Sequence, residues 1–159
     1  GSMAQHSEHM QQFWQTAQAK IIKHQCAPIS SIMTSDVITM FVNDKLEDSL
    51  AIFREHSLRH LVVVNDRKEV KGIFTKRDLL SVEKGGLDRS IRCVANEKVQ
   101  MVSRNTCIRK VASMMLTHKI GCVPIVQGAM NTLVGIVTES DFVRAFAMST
   151  KCNCGVFND

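Results

Sequence analysis

The sequence predicts a mixed α/β (α+β) fold built from two tandem β-α-β-β-α repeats with pseudo-twofold symmetry. The first observation is a stretch that occurs twice, at residues 72–80 and 135–143, where Gly, Thr and Asp recur with a common separation of 63 residues (135−72, 138−75 and 141−78). The second is a continuous apolar run that also occurs twice, at residues 60–64 and 122–126. Self-similarity at a fixed period indicates a repeat architecture.

The composition is that of an ordinary globular protein. The chain has 159 residues, of which 45% are hydrophobic, and a formal net charge of +5. No run approaches the roughly 18 apolar residues that a membrane helix needs, and no signal peptide is recognisable, so we expect a cytoplasmic protein without a membrane partner. The basic residues are scattered, which argues against nucleic acid but leaves a smaller anionic partner open.

The cysteine pattern predicts neither a metal site nor a disulfide framework. The six cysteines do not have the spacings of zinc ligands, and we expect a cytosolic chain to keep them reduced. They are Cys26, Cys93, Cys107, Cys122, Cys152 and Cys154. The last two lie in an expected flexible tail (residues 149–159), where a metal or redox role and incidental thiols both remain open.

The N-terminal segment (residues 1–28) predicts an amphipathic helix that follows a tag-cleavage scar at residues 1–3. Four apolar side chains recur at helical spacing and share one face of a helix over residues 4–25. They are Met10, Trp14, Ala17 and Ile21. Because a lone amphipathic helix must bury its apolar face, it packs on its own domain or on a second subunit, and we favour the second subunit.

The first repeat (residues 29–84) predicts two helices and three strands after a lead-in that begins at residues 29–33. Apolar positions at helical spacing predict the first helix, and the β-branched run predicts a strand buried on both faces. The elements are a strand at 37–40, a helix from about residue 43 to about residue 56, strands at 60–64 and 69–74, and a helix from Thr75 to about residue 83.

The second repeat (residues 85–148) begins after the break at Lys84, Gly85 and Gly86 and follows the same order. A lead-in at 91–95 precedes a strand at 99–102, a helix from 108 to about 118, strands at 122–126 and 133–137, and a helix from 138 to about 148. In each half the strands joined by the helix should be parallel and the last two should form a hairpin. Since a half of about 60 residues is marginal alone, the apolar strands of the two halves should face each other.

The repeated Thr-x-x-Asp junction has two interpretations. Thr is a good N-cap, and an acid three residues later can complete a capping box. Alternatively, a strand–helix junction directs backbone N–H groups at an anion, and a nearby carboxylate can accept hydrogen bonds from the hydroxyls of a ribose. The glycine before each junction lets a ligand or a neighbouring chain come close to the strand.

The two junctions differ in charge. Lys76 and Arg77 separate Thr75 from Asp78, and a cationic pair favours a phosphate, which Arg can bind in a bidentate manner. The second junction carries Glu139 and Ser140 at these positions. We therefore expect the first site to prefer a charged phosphate and the second to be weaker or to take a nucleoside-like group. A solvated first helical turn remains the alternative for the basic pair.

These motifs resemble a known family. The matching pieces are the segment 32–39, the strands at 60–64 and 122–126, and above all the two junctions Gly-Ile-Phe-Thr-Lys-Arg-Asp and Gly-Ile-Val-Thr-Glu-Ser-Asp. The repeat resembles the cystathionine-β-synthase (CBS) domain, and the pair resembles a stand-alone Bateman module, over residues 29–148. The second lead-in lacks the Met-Thr of the first, and Gly121-Cys122 lacks the basic residue of Arg59-His60, so the second site departs further from the family pattern.

The resemblance implies regulatory sensing of an adenine nucleotide (AMP, ADP or ATP) or of S-adenosylmethionine in clefts between the repeats, with no obligatory cofactor. The aspartates would take the ribose hydroxyls, the threonines would lie beside ribose or phosphate, and the base would lie near the first strand of a repeat. The expected first site comprises Thr75, Lys76, Arg77, Asp78, Val37, Ile38, Arg59 and His60. The expected second site comprises Thr138, Ser140, Asp141, Val99, Gln100 and Cys122.

Two functions remain open at this level. One is a nucleotide sensor that transmits its state to a regulated partner protein, and the other is a structural dimerisation or protein-interaction module with vestigial pockets. The resemblance implies a homodimer in either case. Catalysis is not expected, because His56 and His118 occupy matching helix ends, where a cation suits the helix dipole, rather than a convergent acid–base pair.

Overall fold

The computed structural model describes residues 26–82 and 85–149, so the helix expected over residues 4–25 and the tail beyond Ser149 lie outside the described residues. The first half contains β1 (Thr39–Phe41), α1 (Leu46–His56), β2 (His60–Val64), β3 (Val70–Thr75) and α2 (Lys76–Leu80). The second half contains β4 (Val102–Ser103), α3 (Ile108–His118), β5 (Cys122–Gln127), β6 (Thr132–Thr138) and α4 (Glu139–Ser149).

Each half forms a three-stranded sheet with the same topology. β1 pairs with β2 in parallel, β2 pairs with β3 in antiparallel fashion, and β4, β5 and β6 repeat this order. A register irregularity falls at the equivalent place in both hairpins, between Val63 and Val64 and between Ile125 and Val126. The tandem β-α-β-β-α fold is therefore confirmed.

The segments before β1 and β4 are swapped between the halves. The first lead-in (residues 29–38) pairs with β6 through Thr34 and Ile136, and the second lead-in (residues 91–101) pairs with β3 through Asn96 and Ile73. Each pair exchanges two backbone hydrogen bonds of 2.8 to 3.0 Å. β3 and β6 are edge strands, and each lead-in satisfies backbone groups that the edge would leave exposed.

The swap also exchanges core residues. Ile29, from the first repeat, is fully buried in the cluster that contains Val111 and Val123 of the second half. Ile91, from the second repeat, is fully buried in the first half's cluster with Leu46 and Phe74. Each half is therefore completed by a residue that precedes the other half's first strand, which the order of the repeats in the sequence does not reveal.

The repeated glycines make room for the swapped lead-ins. A Cβ at Gly72 would lie 3.1 Å from the carbonyl oxygen of Asn96, and a Cβ at Gly135 would lie 3.1 Å from Cγ of Met33. Both distances are closer than ordinary van der Waals contact. The sequence left open the close approach of a ligand or of a neighbouring chain, and the structure shows a lead-in of the same chain at both glycines.

Several predicted element bounds were wrong, and the lead-ins explain two of the differences. β1 begins at Thr39 rather than residue 37, and β4 covers Val102–Ser103 rather than residues 99–102. Val37, Val99 and Met101 instead pack against a cluster between the halves. The helix after Thr75 ends at Leu80 rather than about residue 83, because the N–H and the hydroxyl of Ser81 both donate to the carbonyl of Asp78 and close the last turn.

The two sheets face each other across a shared apolar cluster. Its buried members are Val62, Val64 and Val70 of the first half and Val126 of the second. Adjacent to it, the hairpin turns are joined by backbone hydrogen bonds from Val70 to Asn131 and from Leu133 to Lys68. None of the helices in the described part of the chain has the length and apolar character needed to cross a bilayer.

Candidate functional site

The first junction forms a complete capping box at the start of α2. The N–H of Asp78 donates to the hydroxyl of Thr75 (3.1 Å), and the N–H of Thr75 donates to Oδ2 of Asp78 (2.9 Å). The structural interpretation of this motif is therefore confirmed. Capping uses only one carboxylate oxygen, and within the described residues Oδ1 of Asp78 has no hydrogen-bond partner. The same side chain can cap the helix and accept a further hydrogen bond.

This junction opens onto a cleft of about 670 Å³ whose walls come from both halves. Ligand-binding pockets of proteins fall in the range of about 300 to 1,000 Å³. The cleft includes six of the residues expected at the first site: Arg59, His60, Thr75, Lys76, Arg77 and Asp78. The second half contributes Asn96, Lys98, Val99 and Gln100 from its lead-in and Lys119, Ile120, Gly121 and Cys122 from the segment that enters β5.

The charge of the cleft is strongly positive. Its lining contains five lysine and arginine side chains, all exposed to solvent, and one carboxylate, that of Asp78. The basic residues are Arg59, Lys76, Arg77, Lys98 and Lys119. Clustered cations in a concave surface focus the electrostatic field and attract anions. The arrangement suits a ligand that carries negative charge at one end and hydroxyl groups near Asp78.

The grouping of site residues differs from the sequence prediction. Val99, Gln100 and Cys122, expected at the second site, line the cleft of the first junction. Val37, expected at the first site, lines a separate small cavity with Leu133 of the second half, and Ile38 packs on the core of the first half. The lead-in swap is the physical reason, because each lead-in lies against the other half's strand–helix junction.

Sequence reasoning missed three polar residues of this cleft: Asn96, Lys98 and Lys119. Lys119 ends α3 in the left-handed conformation (φ 53°), and its counterpart after α1, Ser57, has the same conformation (φ 52°). The repeat register therefore marked this position, although it did not show that the side chain would face the first junction. Asn96 and Lys98 carried no signal without knowledge of the swap.

The second junction is closed by side chains from both halves. Asp141 is only 4% exposed, and its Oδ2 accepts from the N–H (2.9 Å) and hydroxyl (3.2 Å) of Thr138. Its Oδ1 accepts from the hydroxyl of Thr34 (3.0 Å) and from Nη1 of Arg144 (3.1 Å). Both carboxylate oxygens thus have partners, whereas Oδ1 of Asp78 has none among the residues that the structure describes.

The remaining residues of the second junction do not compensate for this closure. Ser140 and Glu139 are exposed in the first turn of α4, and the N–H of Glu139 donates to the carbonyl of Gly121 (3.3 Å). In the first junction the equivalent bond runs from the N–H of Lys76 to the carbonyl of Arg59 (3.0 Å). The two junctions share a backbone geometry but carry opposite charge at the first helical position.

His60 lies between the two junctions. Its ring occupies space left by Gly121, since a Cβ there would come within 3.0 Å of Cε1 of His60. Burial lowers the pKa of His60, the neighbouring charge of Arg59 lowers it further, and the carboxylates of Glu139 and Asp78 oppose the shift. The half-buried imidazole therefore favours its neutral form more than a free histidine does.

We expect His60 to make the fold less stable in acid. The pKa of His60 in the folded state lies below its ordinary value. The contribution of neutral His60 to the free energy of unfolding is therefore fully present above the ordinary pKa, and it is lost as the pH falls through the folded-state pKa. The free energy of unfolding, measured by urea denaturation, should fall between pH 7.5 and pH 5.5. We expect this fall to be smaller for His60→Gln than for the unsubstituted chain. Equal losses in the two proteins would contradict this assignment.

Cys122 lines the cleft but is not a nucleophile. The residue is buried in β5, and burial raises the pKa of its thiol to about 12. A thiol of this kind stays protonated at neutral pH and does not react as a thiolate. No group of three or more His, Cys, Asp or Glu side chains that could hold a metal ion occurs within residues 26–82 and 85–149.

Comparison with known proteins agrees with this architecture. The family model described as CBS domain matches twice, at residues 29–85 and 91–148. The CBS domain pair of protein MJ0100, solved in complex with 5′-methylthioadenosine and S-adenosyl-L-methionine, superposes with a TM-score of 0.70 at 24% identity and covers 79% of this chain and 99% of that one. CBSX2, solved in complex with AMP, gives a TM-score of 0.71 at 21% identity, with 77% of this chain and 97% of that one covered.

A sequence relative places the same region in a longer protein. The uncharacterized protein MJ1404 of Methanocaldococcus jannaschii is 29% identical over 147 residues, which is 82% of this chain but 34% of the relative. The chain thus spans about a third of this relative's length. The two family matches cover well over half of the chain, in register with the two sheets and with both Thr-x-x-Asp junctions. The chain belongs to the CBS domain family.

Proposed function

We propose that this chain is a regulatory module that binds an adenine nucleotide in the cleft of the first junction and transmits the bound state to a partner protein. The observation that carries the proposal is the convergence of five basic side chains and the half-used carboxylate of Asp78 on one cleft. The chemistry of the lining calls for a ligand with both a phosphate and free hydroxyl groups. A nucleotide has both.

Each part of a nucleotide has a suitable partner in the cleft. The phosphate would lie against Lys76 and Arg77 at the start of α2, where both side chains are exposed and can form charge-assisted hydrogen bonds. The ribose hydroxyls would donate to Oδ1 of Asp78. The base would lie on the apolar side chains of Val99 and Ile120, both of which line the cleft from the second half.

The construction of the cleft suggests how binding is transmitted. Lys76 and Asp78 belong to the first half, whereas Lys98 and Lys119 belong to the second. Without a bound anion the ammonium groups of Lys76, Lys98 and Lys119 would repel one another across the cleft. A bound phosphate would neutralise that repulsion and hold the halves together. A ligand that binds one arrangement of the halves more tightly shifts the population toward that arrangement.

The second junction is proposed as a weak site or no site. Any ribose there would have to displace Thr34 or Arg144 from Asp141, which is almost fully buried. Removing partners from a buried carboxylate is costly. Glu139 would also repel a phosphate at the start of α4.

The solved relatives support the ligand class. CBSX2 was solved with AMP and the MJ0100 domain pair with two adenosine derivatives, so adenosine-containing ligands occur within this fold. The basic lining here favours ligands with a negative charge. We therefore propose AMP, ADP or ATP rather than the cationic S-adenosylmethionine as the regulatory ligand.

Calorimetric titration tests this function. AMP, ADP, ATP, S-adenosylmethionine and uncharged adenosine are titrated separately into the full chain. We expect AMP to bind at least about tenfold more tightly than adenosine, because one charge-assisted hydrogen bond contributes about 1.5 to 3 kcal/mol. Equal affinities of AMP and adenosine would refute the role of the phosphate, and the absence of heat with every ligand would refute the function.

The alternative is a structural homodimer with unused pockets. Exposed apolar side chains on three helices support it: Leu80 on α2, Leu116 on α3, and Val143 and Met148 on α4 are between 67% and 81% exposed. Such surfaces often mark protein–protein contacts. This function is favoured if sedimentation shows a stable dimer whose melting temperature does not respond to any of the five titrated compounds.

A further inference from the structure

A pair of cysteines, Cys26 and Cys107, lies outside the cleft, where the segment before the first lead-in pairs with the second half. Pro28 forms an antiparallel bridge with Cys107, the N–H of Ile108 donates to the carbonyl of Ala27 (3.0 Å), and the N–H of Ile29 donates to the carbonyl of Thr106 (2.7 Å). These bonds bring the segment that begins at Cys26 alongside the start of α3. Pro28, which pairs with Cys107, is two residues from Cys26, and the two thiols lie close enough to perturb each other's pKa.

The two thiols have different environments. Cys107 is the N-cap residue of α3, an 11-residue helix. Loss of hydration would raise the pKa of the Cys107 thiol, but the nearby thiol of Cys26, the nearby N–H groups of Arg109 and Lys110 and the charge of Arg109 lower it overall. The neighbouring Cys107 thiol is the main cause that raises the pKa of the Cys26 thiol.

This asymmetry assigns different roles to the two sulfurs. Cys107 is the one that more readily becomes a thiolate, and the thiolate is the nucleophilic form of cysteine. Cys26 keeps its proton, is exposed, and stands next to the sulfur that would react first. Redox-sensitive cysteines have this combination of an activated thiolate and an adjacent resolving thiol.

We propose that Cys26 and Cys107 form a reversible disulfide in response to a hydroperoxide, with Cys107 as the attacking residue and Cys26 as the resolving residue. The proposal is independent of nucleotide binding, since neither residue lines the cleft.

The reaction balances with hydrogen peroxide as the only oxidant. The Cys107 thiolate attacks one peroxide oxygen, the O–O bond breaks, and the products are a sulfenic acid and hydroxide, which takes up the proton released by the thiol. The Cys26 sulfur then attacks the sulfenic sulfur, the S–S bond forms, and the hydroxyl group leaves as water with the Cys26 proton. Two thiols are oxidised by two electrons, and one peroxide is reduced to two waters.

The disulfide would join the segment before the first lead-in covalently to the second half. Cys26 precedes the first lead-in, which already packs on the core that contains Val111. A covalent bond from Cys26 to the start of α3 would hold this lead-in in its swapped position, and Thr34 of the same lead-in contacts Asp141. Oxidation would therefore stabilise the swapped arrangement.

Peptide mapping after oxidation tests the proposal. The reduced full chain, carrying Cys152→Ser and Cys154→Ser to remove the thiols of the C-terminal segment, is treated with equimolar hydrogen peroxide, alkylated and digested without reductant. We expect a peptide pair joined through Cys26 and Cys107, lighter by two hydrogens than the separate peptides and released by dithiothreitol. Failure to detect this pair after Cys107 has been consumed would overturn the proposal.

Trapping of the sulfenic acid provides the second readout. In the Cys26→Ser variant, which lacks the resolving thiol, dimedone should label Cys107 at least about tenfold faster than Cys93, an exposed cysteine of the same chain that serves as the internal control. Far-UV circular dichroism verifies that the variant is folded. Equal labelling of Cys107 and Cys93 in the folded variant would contradict the role of Cys107 as the attacking residue.

Discussion

Reversing the charge of Lys76 and Arg77 is expected to weaken AMP binding by at least about 100-fold, since two charge-assisted hydrogen bonds of about 1.5 to 3 kcal/mol each are replaced by repulsion. Both side chains are exposed at the start of α2, so the double variant Lys76→Glu/Arg77→Glu should fold normally. Calorimetric titration of AMP measures the effect. Raising the salt concentration should weaken binding by the unsubstituted chain and have little effect on the variant.

The chain offers a matched control for this experiment. Arg109 and Lys110 are also adjacent, exposed and in the first turn of a helix, α3, but they do not line the cleft. The variant Arg109→Glu/Lys110→Glu changes the net charge by the same amount and should retain AMP affinity within about threefold, since only long-range electrostatics is altered. A similar loss in both variants would show that the cleft has no specific role.

Ile29→Ala is expected to lower the free energy of unfolding by about 2 to 5 kcal/mol, the usual cost of replacing a buried isoleucine with alanine. Ile29 is fully buried, and its neighbours Val111 and Val123 belong to the second half. Urea denaturation measures the total loss. Hydrogen exchange locates it, and we expect the amides of β5 and β6 to lose more protection than those of β2 and β3.

Two further variants make this prediction specific to the lead-in swap. Ile91→Ala should have the converse effect, with greater loss of protection in β2 and β3, because Ile91 lies in the first half's core. Leu80→Ala, at a position that is 78% exposed, should change stability by less than about 0.5 kcal/mol. If Ile29→Ala weakened mainly the first half, the swapped packing would be wrong.

The elements with strong local signals could be predicted from the sequence. The strand His60–Val64 and the helix end at His56 have the predicted bounds, because a continuous β-branched run and a helical apolar period are local properties. The capping role of Thr75 and Asp78 was one of two interpretations of the motif, and the structure shows it directly. Periodicity and turn chemistry were sufficient for these features.

The exchange of the lead-ins could not be predicted in the same way. The two repeats are similar in pattern, so each lead-in fits the edge of either sheet by hydrophobicity alone. Only the contacts of Thr34 with Ile136 and of Asn96 with Ile73 show which edge each lead-in chooses. The expected sites consequently combined Val37 with Thr75, a pairing that the described cleft does not contain.

The unequal character of the two junctions was predicted from charge, but its strongest cause was not. Lys76 and Arg77 against Glu139 and Ser140 are visible in the sequence. The burial of Asp141 by Thr34 depends on a contact between residues 107 positions apart, which no local pattern reports. The difference between an open and a closed carboxylate is therefore a tertiary property.

Hydrogen–deuterium exchange of the full chain with and without saturating AMP tests the central proposal most directly. If the nucleotide occupies the cleft between the halves, amides in residues 75–80, 96–100 and 119–122 should gain protection together, because these segments form its walls. Residues 34–38 and 138–142, at the second junction, should change little. Protection confined to 34–38 and 138–142, or no change in the three cleft segments, would contradict the assignment of the nucleotide to the first cleft.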